Sequence, residues 1–229
     1  MNEQLLYKLD NPAWYSLAET HAHFSIGNNL AKRYKPQIVA FAAWEHSHPV
    51  VGNEMDHIFI TGESLFIIGG LPSLPGNYSI ESTLPCLQMV CAKEIKTQIT
   101  THIEKLGEAD DDEIVDIINL VQPGYYKKGT RLMGDYFGIR QDGKLVAVTG
   151  ERMCMYGLTE VSAVVTHPDF SGRKYAQQLV AYVCNKNLAA GTIPFLHVSE
   201  INARAISIYE YLGFSKRRVI DFSKVKRLE

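Results

Sequence analysis

The stretch from residue 158 to residue 189 restricts the fold more than any other part of the chain. Residues 158–166 are rich in β-branched side chains, with Thr159, Val161, Val164, Val165 and Thr166, and read as a buried strand. A tight polar loop with Pro168 and Gly172 follows. From Ala176, the residues Leu179, Val180, Val183, Cys184 and Leu188 share one helical face. A strand that passes through such a loop into an amphipathic helix needs a sheet for that helix to rest on. It also leaves several N–H groups unpaired at the positive helix end, an arrangement that attracts anions. A phosphate is the natural guest, and a plain strand-to-helix turn is the alternative.

The rest of the composition sets bounds on that site. With 229 residues, 46% hydrophobic and 21% charged, the chain can bury a sizeable core as one large domain or two small ones, and is not expected to be disordered. Its net charge of -2 argues against a whole-surface grip on nucleic acid or an anionic membrane, so a polyanion has to be met locally. Cys86, Cys91, Cys154 and Cys184 form no C-x-x-C pair, which predicts a reduced, cytoplasmic protein without a zinc ribbon or a disulfide framework. No apolar run approaches the roughly 20 residues of a membrane span.

Along the chain, Asn11-Pro12 marks the start of a helix carrying Trp14, Leu17 and Ala18. Residues 37–44, 57–60 and 64–68 read as strands. Ile95, Ile99, Ile103 and Leu106 recur at helical spacing before Gly107, so residues 92–106 are expected to be a helix. A domain junction is placed there, giving a smaller α+β lobe over 1–107 with net charge -3 and a second lobe over 108–229 with net charge +1. A helix from about Asp110 follows. The second lobe then reads as strands over 136–140, 145–152 and 158–166, a helix over 176–189, a strand over 194–198, a helix over 203–212 and a final strand pair over 219–225.

Two segments of this lobe resemble the GNAT superfamily of N-acetyltransferases. Ser171-Gly172-Arg173-Lys174-Tyr175-Ala176 is similar to the pyrophosphate loop written Q/R-x-x-G-x-G/A, with Ser171 and Lys174 departing from it. Asn202, Ala205, Tyr209, Gly213 and Phe214 match the helix motif N-x-x-A-x-x-x-Y-x-x-x-G-F. The resemblance covers about residues 108–229. It implies a mixed α/β fold, with a mostly antiparallel central sheet flanked by helices. It also implies acetyl transfer from acetyl-CoA to a primary amine of a small molecule or protein, by direct attack and without metal. A catalytically inactive CoA-binding module, or an enzyme using a longer acyl-CoA, is the alternative. A homodimer is compatible with the family.

The resemblance also implies roles for individual residues. Glu160 takes the place of a general base, and its apolar neighbours Leu158, Val161 and Ala163 are expected to raise its pKa by desolvation. The structural alternative pairs it with Arg152 across the sheet. Tyr209 takes the place of the acid that protonates the departing thiolate, the alternative being a core tyrosine. Backbone around Val164, Val165 and Thr166 corresponds to the segment that pairs with pantetheine, and one N–H there would polarise the thioester. Ser171, Gly172, Arg173, Lys174, Tyr175 and Ala176 would hold the pyrophosphate, with Asn202 and Arg204 on the CoA arm. A negative φ is expected at Lys174.

Other features carry weaker functional readings. Tyr125, Tyr126 and Arg131 are candidate acceptor contacts or an aromatic anchor with solvated cations. His21/His23 and His46/His48 lack a third ligand at suitable spacing, so no metal site is expected. The basic tail with Lys216, Arg217, Arg218, Lys224, Lys226 and Arg227 is read as a solvated edge rather than a nucleic-acid surface. The first lobe has no second phosphate loop, and its helix-then-strand order reads as a decayed copy of the second or as a cap over the acceptor.

Overall fold

The computed structural model describes residues 3–46 and 52–229. Its helices are α1 (Glu3–Leu6), α2 (Pro12–Ala18), α3 (Gly52–Ile58), α4 (Asp111–Val121), α5 (Tyr175–Ala189) and α6 (Ala203–Tyr211). The first six strands are β1 (Ser25–Gly27), β2 (Ala31–Tyr34), β3 (Phe41–Trp44), β4 (Ser64–Ile68), β5 (Tyr78–Val90) and β6 (Glu104–Leu106). The remaining strands are β7 (Tyr136–Gln141), β8 (Lys144–Met155), β9 (Leu158–Thr166), β10 (Ile193–Ser199) and β11 (Ser215–Arg227). All join one sheet in the order β1-β2-β3-β4-β11-β5-β10-β9-β8-β7-β6, mixed but mostly antiparallel, with helices on its faces.

That order is nearly a palindrome. β1 to β4 pair antiparallel, antiparallel and then parallel, and β7 to β10 repeat the same pattern. Between the two sets, β11 lies against β4 and β5 against β10, so each half places its long last strand beside the other half's fourth strand. β5 and β11 also pair with each other along almost their whole length. The sequence junction at Gly107 therefore does not coincide with a break in the sheet. Removing residues 1–107 would strip one edge from β10 and both edges from β11.

Three sequence expectations change here. Residues 92–103 are not helical, and only the end of that segment is regular, as β6. Thr97, Ile99, Thr100, Thr101 and Ile103 are β-branched and lose χ1 freedom in a helix. Two amide side chains of α5, two turns apart, hold the backbone instead. Asn185 binds both the N–H and the carbonyl of Ile95 at 2.8 and 2.9 Å, and Gln178 accepts from Thr100 and Thr101 at 2.8 and 3.0 Å. Residues 57–58 belong to α3 rather than to a strand. The final strand pair is one thirteen-residue strand, β11, bent by irregularities after Lys216 and Lys224.

The core is shared between the halves. Leu9, Trp14, Tyr34 and Phe41 pack with Met153, Leu158, Phe195, Ile220 and Phe222 in one cluster. α5 seals a second cluster through Leu179, Val180, Val183 and Cys184, and α4 a third through Ile114, Ile117 and Ile118. α4 starts with Asp111, Asp112 and Glu113 in its first turn, where negative charge favours the helix dipole.

His21 is part of this shared core rather than a metal ligand. Its Nε2 donates to the Met133 carbonyl at 2.9 Å, and its Nδ1 faces Ser16 at 2.9 Å and Tyr34 at 3.0 Å. Burial lowers its pKa to about 4, although the Met133 contact opposes the shift. Because the folded value lies below the unfolded one, the neutral ring stabilises the fold fully above about pH 6.5, and this is lost as pH falls toward 4. Urea titrations at pH 7 and 4.5 are expected to differ by about 2–3 kcal/mol from this ring, with the slope reduced in His21→Asn. His48 lies outside the described residues. Among the described residues no group of three or more His, Cys, Asp or Glu is placed to hold a metal.

The basic tail is neutralised within the chain. Arg217 and Arg218 both meet Asp10 at 2.8 Å, Lys216 meets Glu210 at 2.9 Å and Lys224 meets Glu81 at 3.0 Å. No described helix is long and apolar enough to cross a membrane.

Candidate active site

β9 and β10 run parallel only from Leu158/Ile193 to Glu160/Phe195 and then part. The divergence has a local cause in β9. Ala163 has φ +53°, and the pairing with β8 jumps from Ser162/Gly150 to Val165/Val148. This bulge adds one residue and reverses the side-chain phase. Val161 and Val164 consequently face the α5 cluster, while Val165 turns into the α4 cluster. The parted strands enclose a cavity of about 410 Å³, with Val161 to Val164 on one wall and His197 to Ser199 on the other. Asn202, Ala205 and Tyr209 of the α6 region close one side, and Leu84, Tyr125, Arg152 and Phe222 another.

Tyr209 stands on the wall of this cavity. Its ring packs against the α5 cluster and lies 5.7 Å from Phe214, and its hydroxyl makes no hydrogen bond among the described residues. Burial, with a smaller contribution from the Cys184 thiol, pushes its pKa well above the ordinary tyrosine range. The group stays protonated and able to donate at neutral pH. Asn202 caps α6 by accepting from the Ala205 N–H at 3.1 Å and also lines the cavity.

Glu160 requires a correction. It is fully buried, and Arg152 grips it at 2.9 and 2.7 Å through Nε and Nη2. Met153 N–H donates to it at 3.2 Å and His197 Nδ1 at 2.7 Å. Burial alone would raise its pKa as the sequence suggested. Arg152, assisted by His197, outweighs burial and holds the carboxyl well below the usual range. Such a carboxylate is a weak base, and its oxygens are already occupied. The pairing with Arg152 across the sheet is the arrangement found.

Behind His197 lies a relay that the sequence did not signal. Gln88 of β5 donates to His197 Nε2 at 2.9 Å and to the Leu9 carbonyl at 2.9 Å. Arg217 fixes the amide's orientation by donating to its oxygen at 2.8 Å. These partners select the tautomer with the His197 proton on Nδ1, directed at Glu160. Gln88 and His197 lie 109 residues apart in sequence, and no local pattern marks either as part of a site.

The phosphate-loop residues gather at the N-terminus of α5. Ser171, Gly172, Arg173 and Lys174 are exposed, and Gly172 has φ +82°. Lys174 has φ +61°, not the negative value expected from the sequence. It carries the left-handed turn that glycine would make without strain. Lys174→Gly is accordingly expected to raise the unfolding free energy by about 1 kcal/mol, measurable by urea titration. The Tyr175 side chain is buried in the α5 cluster. Ala176 is half-buried behind it.

A groove of about 690 Å³ opens in front of this turn, lined by Arg173, Lys174, Gln177 and, from the 92–103 strap, Lys96. Arg173 lies over the Phe170 ring at 4.9 Å. Lys96 was hidden from sequence reasoning by the helix expected there. Arg204 is exposed and lines neither groove nor cavity. Thr166 keeps a buried hydroxyl without a hydrogen-bond partner. Of the acceptor-side candidates, Tyr125 lines the cavity and rests against Phe66 at 5.9 Å. Tyr126 turns into the α4 cluster and Arg131 pairs with Asp111, so neither reaches the cavity.

Comparison with known proteins agrees with this geometry. Residues 136–223 match the family described as FR47-like protein. No curated protein matches the chain. A GNAT-family protein from Novosphingobium aromaticivorans is 29% identical, with 96% of this chain and 99% of that one covered at a TM-score of 0.87. A GCN5-related N-acetyltransferase from Kribbella flavida is 14% identical, covering 93% of each chain at a TM-score of 0.61. A GCN5-related N-acetyltransferase-like protein from Streptococcus suis is 11% identical, covering 97% of each chain at 0.58. The last two share the fold alone. Parted parallel strands, a glycine-bearing turn ahead of α5 and a capped α6 bearing Tyr209 thus sit in a frame shared almost end to end with a GNAT-family protein, and this chain has the fold of the GNAT acetyltransferases.

Proposed function

We propose that the protein is an N-acetyltransferase that moves an acetyl group from acetyl-CoA to a primary amine within a ternary complex. The observation that carries this reading is the bulge-driven opening between β9 and β10, a cavity with Tyr209 on its wall. N–H groups at the α5 turn, with Arg173, Lys174 and Lys96, supply the donors and charge that a pyrophosphate needs. The strand around Val164 faces the cavity and can pair with an amide-bearing arm, while Asn202 lies at its side.

In this reading the amine nitrogen attacks the thioester carbonyl, a C–N bond forms and the C–S bond breaks. Tyr209 passes its proton to the departing sulfur and is reprotonated from solvent, which also takes the proton lost by the amine. Glu160 serves as the anchor of Arg152 and is not the base. The first half acts as a decayed copy of the second, lending β5 to the catalytic sheet. Four free cysteines accord with a reducing, cytoplasmic setting.

Thiol release from acetyl-CoA across an amine panel, beside calorimetry with acetyl-CoA, tests the proposal. Binding with amine-dependent release is expected. Binding without release on any amine would leave a CoA-binding module, and no heat at all would remove the reading.

A further inference from the structure

The charged side chain on the cavity wall is Arg152, and among the described lining residues no carboxylate opens beside it. Its Nε and Nη2 are taken by Glu160, but Nη1 makes no hydrogen bond among the described residues and is not a sealed, unsatisfied atom. The guanidinium cannot readily turn away. Glu160 is itself fixed by Met153 and His197, and the Phe41 and Phe222 rings lie 5.1 and 5.8 Å from the guanidinium carbon. A planar guanidinium with one edge held and the other open is suited to a second planar, two-oxygen partner.

We propose that the acceptor is an amine that also bears a carboxylate, of the amino-acid class, and that Arg152 reads this carboxylate through Nη1. The proposal rests on the acetyl-transfer reading above. A simple alkylammonium or polyamine would meet a cation with no free anion beside it in this cavity, which disfavours binding. A zwitterion brings its own negative group to Arg152 and leaves its nitrogen free to turn toward the thioester. Leu84, Tyr125 and Phe222 line the same end of the cavity and give an apolar or aromatic side chain a surface to lie on.

The test uses matched pairs on the full wild-type chain with saturating acetyl-CoA. L-Phenylalanine is compared with 2-phenylethylamine, and L-leucine with 3-methylbutylamine. The carboxylate-bearing member of each pair is expected to have kcat/KM higher by about 100-fold or more. In Arg152→Lys this ratio should fall below about tenfold, mainly through KM, with acetyl-CoA affinity retained in calorimetry. Equal rates within pairs, preference for the decarboxylated amines, or acetyl-CoA binding with no turnover of any of the four would overturn the acceptor class. The first two of these leave acetyl transfer standing, whereas absence of acetyl-CoA binding overturns both. The wild-type comparison stands even if the variant fails to fold.

Discussion

Glu160→Gln is expected to lower the unfolding free energy by about 3–5 kcal/mol, because it leaves the Arg152 charge without a counter-ion in the core. The size follows from burial. The Glu160 side chain is 1% exposed and that of Arg152 17%, so water does little to screen the loss. His197 loses its anionic acceptor at the same time, and Gln88 then holds a ring with nothing to orient toward. The pH dependence has a definite sign. The folded pKa of Glu160 lies below its unfolded value, so its contribution is complete above the ordinary carboxylate range and disappears as pH falls through the folded value. Denaturant titration at pH 7 measures the loss, and the wild-type and variant curves should converge in acid. A variant as stable as wild type would show that the Arg152 pair does not hold the site together, and would return Glu160 to the role of a free carboxylate.

Tyr209→Phe should leave the fold and acetyl-CoA affinity nearly unchanged while lowering kcat by about 100-fold or more. The hydroxyl has no hydrogen-bond partner among the described residues, so its removal strands no donor or acceptor of the protein. Its ring keeps its place against the α5 cluster and Phe214. In the proposed reaction, what disappears is the proton for the leaving sulfur, a general-acid contribution of the usual size. Steady-state kinetics with calorimetry separates the two effects. Because burial raises the tyrosine pKa, the wild-type rate should show no basic limb from this group within the ordinary tyrosine range. Turnover equal to wild type would assign protonation of the thiolate to water.

Both expectations turn on residues whose identity the sequence showed and whose state it did not. The strand, loop and helix around Gly172 and the capped helix from Asn202 to Gly213 were legible because each rests on contacts within a few residues. Apolar spacing selects α5, the Asn202 oxygen takes the Ala205 N–H, and Gly213 accepts φ +96° after the last turn. The same local logic misread residues 92–106. There the spacing of Ile95, Ile99 and Ile103 imitated a helix, but Asn185 and Gln178 of α5 took the backbone groups that a helix would have satisfied internally. Periodicity reports which side is buried, not what meets the backbone.

The sequence by itself determined that residues 136–214 form strands and helices around a glycine-bearing turn at the start of α5, and that Asn202 caps the helix that carries Tyr209. Tertiary structure alone decided that Glu160 is pinned by Arg152 and His197, that Lys174 takes the left-handed turn, and that β5 and β11 change places between the halves. The reason is range. Capping and amphipathic spacing are settled by neighbours one or two turns away, whereas a buried charge and an open strand edge take whatever partner the assembled fold brings to them.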